Sequence, residues 1–157
     1  MAQQQPQVLI DLSTLPFSDG TGQPPAGAHY NQLPDADMLE LLTREFNKNA
    51  ALVQQWGTEI RFVENLPQGF SYWQYMTTSR KTPPVPSKPI KQTFGHPVMH
   101  HFSSGKQFLQ HVAEIMDANE LWIRTLIYHA QPNNQINWAR SQVAQLINRP
   151  VICSNQH

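Results

Sequence analysis

Several kinds of protein are excluded by what this sequence lacks. It contains a single cysteine, Cys153, so no disulfide can form within the chain, as is usual in a reducing compartment. No apolar run approaches the ~18 residues that a membrane-spanning helix needs, and the first residues do not form the apolar core of a secretory signal peptide. We therefore expect a protein of the cytosol or nucleus, with no membrane partner.

Motifs that would indicate an enzyme are also missing. The seven glycines are scattered and form no phosphate-binding loop, and neither a nucleophile elbow, an HExxH pair nor a CxxC pair occurs. Residues 65–113 contain no Asp or Glu, so this stretch cannot supply the paired carboxylates of a glycosidase or of a metal–carboxylate site. We predict a protein that is not an enzyme and that carries neither a metal nor another cofactor.

Acidic and basic residues are unevenly distributed, although the formal net charge is zero. Residues 1–43 contain five acidic residues and no Lys or Arg, whereas the acid-free stretch contains five basic residues: Arg80, Lys81, Lys88, Lys91 and Lys106. This asymmetry indicates a cationic surface that could bind phosphate groups or an acidic partner. Chance clustering on a solvated surface is the alternative.

Histidine is the one residue type in the acid-free stretch that offers metal or proton chemistry. His96, His100 and His101 lie within six residues of one another. On a strand, His100 and His101 would point to opposite faces, so both could not easily bind one ion. Structural zinc sites also show tighter Cys/His spacing. A metal protein or an enzyme centred on these histidines is therefore the least favoured alternative.

The first 33 residues differ in composition from the rest of the chain. They are rich in Gln, Pro and Gly and have few large apolar side chains, which predicts a disordered or extended arm at 1–33. The apolar runs Val8–Ile10 and Leu15–Phe17 could nevertheless dock onto a core or a partner. We expect residues 34–157 to form a single domain with a core module at about 59–116 and a helical extension at 117–150.

Periodic apolar residues predict four helices, at about 36–56, 104–116, 118–130 and 135–148. Asp37 with Glu40 has the pattern of a capping box at the first helix, and Ser104 with Gln107 has the same pattern at the second. Asp117 is the expected cap of the third helix. Polar residues at 47–49 weaken the first helix, which forms either one piece or two and ends at Gly57.

Short alternating segments predict four strands, at about 59–63, 70–76, 90–94 and 98–102. The prolines at 77–89 indicate a long loop. Alternation on the second strand puts Phe70 and Tyr72 on a face that fills the core, with Trp73 and Tyr75 on the other face. Trp73 and Tyr75 therefore join the five basic residues as candidate binding residues, for a protein partner or for stacked bases.

The order of these motifs resembles a known family. Leu66–Phe70 (LPQGF) leads into a strand, Gly95–Pro97 (GHP) forms a turn, and Phe102–Ser104 leads into a helix that carries Phe108. Over about residues 36–116 the pattern is similar to the methyl-CpG-binding-domain fold, and closer to the N-terminal module of fungal cryptic-loci-regulator transcription-silencing proteins. The resemblance implies an α+β fold with a small antiparallel sheet packed on one helix and further flanking helices.

Two positions differ from those of methyl-CpG readers. Ser103 stands where the family has an Arg that contacts guanine, and Lys91 stands near the position of an acidic strand residue. Loss of one guanine contact removes about 1–3 kcal/mol of discrimination, so methyl-CpG specificity is not expected. The resemblance implies a nuclear, non-enzymatic adaptor that binds protein subunits of a heterochromatin, gene-silencing or nucleic-acid-processing complex. Sequence-independent binding of DNA or RNA through phosphate contacts is the alternative.

Overall fold

The computed structural model describes residues 7–78, 82–83 and 86–130 of the chain. Helices are combined there with two small sheets, which is the predicted α+β class. The elements are, in chain order, β1 (Val8–Ile10), a 3-10 helix (Leu12–Thr14), β2 (Asn31–Gln32), α1 (Asp35–Lys48), α2 (Ala50–Trp56), β3 (Ile60–Phe62), β4 (Ser71–Thr78), β5 (Pro86–Phe94), α3 (Gly105–Ala118) and α4 (Glu120–Ala130). No helix of the described residues is both long and apolar enough to cross a membrane.

The helix α3 is embedded in the hydrophobic core, and its prediction at 104–116 is confirmed. The Ser104 hydroxyl accepts a hydrogen bond from the Gln107 N–H at 3.1 Å, and the Gln107 side chain accepts one from the Ser103 N–H at 2.7 Å. Phe108 is fully buried, and its ring lies 5.4 Å from that of Phe70 between centroids. Local capping and core packing therefore favour the same helix.

The helices α1 and α2 are the two pieces of the helix predicted at 36–56. Asn49 stands between them and caps α2, because its side chain accepts a hydrogen bond from the Leu52 N–H at 3.2 Å. Gly57 ends α2 with a φ of 75°, as predicted, since glycine tolerates this left-handed conformation. The helix predicted at 135–148 lies outside the described residues.

Two predicted helix caps are wrong. The helix α1 already begins at Asp35, so Asp37 lies inside its first turn. The Asp35 carboxylate accepts a hydrogen bond from the Leu66 N–H at 3.1 Å, and this tertiary contact fixes the start of the helix. Asp117 lies within α3, and Asn119 separates α3 from α4. At the start of α1 a contact with a distant segment thus outweighs the local capping signal.

The main sheet is antiparallel and has the strand order β2–β4–β5. Its two longer strands pair from Ser71 opposite Phe94 onwards, which confirms the strands predicted at 70–76 and 90–94. The long loop predicted at 77–89 is wrong at both of its ends, because β4 and β5 extend into it.

Proline is tolerated in β5 because this strand lies at an edge of the sheet. The backbone of Thr93 points away from β4, since it exchanges two hydrogen bonds with Phe102 at 3.0 and 2.9 Å. Residues two and four positions away share this direction, so Pro89 also turns its backbone to the outer edge. A missing N–H there costs no bond to β4. The sequence argument against proline holds for central strands only.

The predicted arm at 1–33 is corrected, because residues 7–33 belong to the fold. The strand β1 pairs in parallel with β3 in a separate two-stranded sheet, so the strand predicted at 59–63 does not join the antiparallel sheet. Four side chains of the segment are at most 3% exposed and share one core with α3: Val8, Ile10, Leu12 and Leu15. The low apolar content of the segment underestimates how much of it is folded, because its few apolar side chains are spaced so that they reach the core.

The segment 98–102, predicted as a returning strand, forms bends instead. The Nδ1 atom of His96 accepts hydrogen bonds from the N–H groups of Val98 and Met99 at 3.0 and 2.8 Å. These two bonds fold the chain back directly after the GHP turn. Only Phe102 reaches β5, through an isolated bridge.

Candidate functional site

Three of the predicted basic residues are described by the structure, and they lie on different surfaces of the molecule. Lys88 and Lys91 are exposed on β5, and the register puts Lys91 on the core-facing side of the sheet. Lys106 lines a cleft of about 470 Å³ between α1 and α3. Two predicted residues lie outside the described part of the chain: Arg80 and Lys81. The described lysines therefore do not form a single cationic face.

The other side of the sheet carries an aromatic layer that includes the predicted residues Trp73 and Tyr75. The Tyr30 ring lies edge to face with those of Tyr75 and Phe94, at centroid distances of 5.2 and 5.5 Å. The Trp73 ring N–H donates to the Ser71 hydroxyl at 2.7 Å. Because these half-buried rings contact one another or their own strand, they form no open platform for stacked bases.

His100 and His101 form a pair over the Phe94 ring, so the expectation that they point to opposite faces is wrong. Their Nδ1 atoms are 2.8 Å apart, and both rings lie 5.9 Å from Phe94 between centroids. Burial, and secondarily the neighbouring His100, lowers the pKa of His101 below its usual value. The neutral ring is favoured there, which suits a pair in which one nitrogen donates and the other accepts.

Three glycines bring three loops into direct contact, and we call this contact the glycine junction: Gly20, Gly69 and Gly95. A Cβ at any of them would overlap the backbone of another loop. The N–H groups of Thr21 and Gly22 donate to the carbonyls of Gly95 and Gly69 at 2.8 and 3.0 Å. The LPQGF and GHP motifs therefore adjoin in space, with the N-terminal segment packed against both.

His111 of α3 lies beside the glycine junction and is only 7% exposed. Its Nε2 is 2.8 Å from Oδ1 of Asp19, and its Nδ1 is 3.1 Å from Oε2 of Glu114. The His96 ring lies 4.5 Å away between centroids, and the Phe102 ring stacks on His111 at 5.5 Å. Asp19, His96 and His111 each bring one metal-ligand atom within 4.8 Å of the others.

Hydrogen bonds already occupy the ring nitrogens that a metal would need. The Nδ1 of His96 accepts two backbone N–H groups, so the proton of the neutral ring is on Nε2, which then has no lone pair for a metal. A metal-bound histidine instead donates its second N–H to an acceptor. Of the described residues in the cluster, Asp19 and His111 then remain, and two ligands are too few for zinc. The cluster therefore serves to link the N-terminal segment with α3.

An exposed apolar groove of about 570 Å³ runs beside α4, and we call it the α4 groove. Three large apolar side chains in it are exposed: Phe17 by 51%, Leu121 by 83% and Trp122 by 46%. A single exposed leucine is common on protein surfaces, but several large apolar side chains in one groove indicate an interaction site.

One buried side chain, Asn119, holds the wall of the α4 groove. Its Oδ1 accepts a hydrogen bond from the Phe17 N–H at 2.9 Å, and its Nδ2 donates to the carbonyls of Phe17 at 2.9 Å and Ile115 at 2.7 Å. The amide thus pairs with the Phe17 backbone as a neighbouring strand would. The same residue ends α3, so the groove wall and the start of α4 are fixed at one point.

The α4 groove and its support at Asn119 were missed by the sequence analysis. One signal for the groove is present: Ile123 and Ile127, four residues apart, define the buried face of α4 and leave Leu121 and Trp122 outside it. No local signal shows the pairing of Asn119 with Phe17, which are 102 residues apart.

Comparisons with protein-family models, with curated proteins and with solved structures give no match for this chain. Its function is therefore inferred from the geometry of its surfaces and from the motif resemblance described above.

Proposed function

We propose that this protein is a non-enzymatic adaptor that docks a partner protein in the α4 groove. The observation that carries the proposal is the exposure of Phe17, Leu121 and Trp122 in one groove whose wall is fixed. Full burial of such a side chain contributes about 1.5–3 kcal/mol. Aromatic side chains are also enriched among the anchors of protein interfaces.

The chemistry of the α4 groove suits the apolar face of an amphipathic helix. The groove begins at Ala118, the last residue of α3, and follows α4 from Glu120 to Leu126, which is about two helical turns. Among the described residues that line it, Glu120 is the only charged one, and it already pairs with Arg124 at 2.9 Å. A partner helix with apolar side chains three and four residues apart fills such a groove without leaving a charge unpaired.

The proposed setting is chromatin, in the nucleus, because of the resemblance to transcription-silencing modules. The LPQGF and GHP motifs that carry this resemblance adjoin at the glycine junction. On this proposal the adaptor joins protein subunits of a silencing or nucleic-acid-processing complex. Ser103 and Lys91, at positions that serve base reading in methyl-CpG readers, favour protein docking over base recognition.

Sequence-independent binding of DNA or RNA is the alternative function, and the described residues support it less well. Lys91 and Lys106 lie on different elements, and the aromatic layer is closed by its own ring contacts. A salt titration distinguishes the two proposals, because phosphate contacts make affinity fall steeply with salt. Docking in the apolar groove depends on salt only weakly.

Introduction of a charge into the α4 groove tests the docking proposal. Leu121→Glu puts a carboxylate among apolar side chains, whereas Val98→Glu makes the same kind of change at a site that is 88% exposed and outside the groove. We expect a partner isolated with the wild-type protein to bind Leu121→Glu at least about tenfold more weakly by calorimetry. Binding to Val98→Glu should be unchanged. Equal affinity of the two variants would exclude the groove as the docking site.

A further inference from the structure

We propose that residues 135–148, the return segment, occupy the α4 groove when no partner is bound, so that a partner protein must displace them. This role of the return segment rests on the proposed function of the groove, because it regulates docking at the same site. The return segment follows α4 in the chain and lies outside the described residues.

The α4 groove is the apolar surface that α4 offers to a neighbouring helix. Ile123 and Ile127 form the buried face of α4, where they are at most 7% exposed and packed in the core. Leu121 and Trp122 line the groove instead and remain exposed. A helix that packs beside α4 therefore buries these two side chains when it lies in the groove.

The return segment has the apolar pattern of a helix that fits such a groove. Ile136, Val143 and Ile147 follow one another at intervals of seven and four residues, with Leu146 beside them, so they share one helix face. A helix covers about 16 Å from residue 136 to residue 147, and α4 itself is also about 16 Å long. The apolar face of the return segment therefore matches α4 in length.

The connection after α4 sets the direction in which the chain returns. The helix α4 ends at Ala130, and Pro132 disfavours its continuation. Residues 131–134 then join α4 to the return segment, and connections of about two to five residues typically join antiparallel helices. Antiparallel pairing from Ala130 onwards puts Val143 opposite Trp122. The apolar face of the return segment thereby meets the exposed side chains of the groove.

Charge and tethering both favour the return segment as the occupant. It contains Arg140 and no acidic residue, so it puts no like charge against Glu120, the charged residue among those that line the groove. A segment joined to α4 by so short a connection is present at an effective concentration on the order of mM. A second copy of the chain at a lower concentration therefore competes poorly for the groove.

A spin label on Cys153, the single cysteine of the chain, tests the occupant in the isolated protein. In the antiparallel arrangement Cys153 lies beyond the end of the groove that Phe17 lines. We expect the label to broaden the amide signals of Phe17 and Leu121 more strongly than that of Ala130. A chain that merely extends away from α4 broadens Ala130 most, because that residue is then nearest to the label along the chain. This second result would overturn the proposal.

A mixed sample distinguishes the return segment from a second copy. Isotope-enriched protein without a label is combined with spin-labelled protein at natural isotope abundance, so that broadening reports contacts between molecules. We expect the Phe17 signal to be unaffected in this mixture. Broadening of Phe17 there would assign the groove to another copy of the chain and overturn the proposal.

One matched pair of variants tests displacement. Leu146→Glu puts a carboxylate on the apolar face of the return segment, whereas Gln145→Glu makes the same kind of change on its opposite face. Leu146→Glu should lose the preferential broadening of Phe17 and bind the partner about tenfold more tightly than the wild type, because the groove is no longer occupied. Gln145→Glu should behave as the wild type in both measurements. Equal partner affinity of Leu146→Glu and Gln145→Glu would contradict displacement.

Failure of this inference and failure of the docking function give different results. Leu121→Glu weakens partner binding whenever the groove is the docking site, whatever the return segment does. Weaker binding by Leu121→Glu without broadening of Phe17 would retain the docking function and exclude the return segment as occupant. Broadening of Phe17 with unchanged partner binding by Leu121→Glu would exclude the docking function, and with it the displacement of the return segment by a partner.

Discussion

The N-terminal segment and α3 contribute to the same core but are held in place by different means. The helix α3 has 14 residues with their own backbone hydrogen bonds and a side-chain cap at Ser104. Residues 7–33 contain two short strands and a 3-10 helix, and they depend on β3, on Asn119 and on the glycine junction. Ile10 of the segment is nevertheless as deeply buried as Ile115 of α3, at 0% and 2% exposure.

This difference shows that regular secondary structure and contribution to the core are separate properties. A helix can be stabilised by bonds between near neighbours, whereas an irregular segment is ordered by its contacts with distant residues. The following changes compare the two regions with each other and with one site outside both, and therefore test how far the comparison holds.

The largest effect is expected from removal of matched core side chains in the two regions. Ile10→Ala and Ile115→Ala should each lower the free energy of unfolding by about 2–5 kcal/mol, because each leaves a cavity in the shared core. Chemical denaturation measures both. Leu9→Ala is the control, since Leu9 is 60% exposed on the same strand as Ile10. A loss for Ile10→Ala no larger than for Leu9→Ala would show that the N-terminal segment is peripheral.

A smaller and more local effect is expected at Asn119. Asn119→Ala removes the amide that pairs with the Phe17 backbone and should lower the free energy of unfolding by about 1–3 kcal/mol. The Phe17 amide should also exchange faster, while amides early in α3 keep their protection. Asn65→Ala, at an exposed asparagine, is the control. If both variants behave alike, the Asn119 side chain does not hold the groove wall.

The smallest effect is expected at His101, outside both regions. Its pKa is lower in the folded protein than in the unfolded chain, so the unfolded state binds more protons between the two values. The stability that the neutral His101 ring contributes is fully present above the pKa of this ring in the unfolded chain. It is lost as the pH falls through the pKa of the ring in the folded protein. Denaturation midpoints at several pH values should show a smaller acid loss in His101→Gln than in the wild type. An identical loss in both would assign the effect to other groups.

Sequence patterns predict the parts of this fold that are determined by near neighbours. The helix α3 follows from Ser104, Gln107 and an apolar stripe, and Gly57 marks the end of α2. The strand β1 is not predictable in this way, because it is three residues long and pairs with β3 about fifty residues away. Likewise, Pro89 excludes a central strand but not an edge strand, and its position in the sheet is a tertiary property.

The candidate site was harder to predict than the fold. The acid-free stretch predicts a cationic surface, but the distribution of charge along the chain does not show which side chains share a surface. The α4 groove combines Phe17 with Leu121 and Trp122, more than 100 residues later. Such a site becomes visible only when the chain is folded. The LPQGF and GHP motifs were recognised from sequence, and their contact at the glycine junction was not.

The outer edge of β5 has a consequence for self-association. An incoming strand would need donors along this edge, but Pro89 offers none, and exposed Lys88 and Lys91 add like charges when two copies meet. Features of this kind keep sheets from joining edge to edge into polymers. The outer edge of β5 is therefore a poor template for edge-to-edge aggregation of this protein.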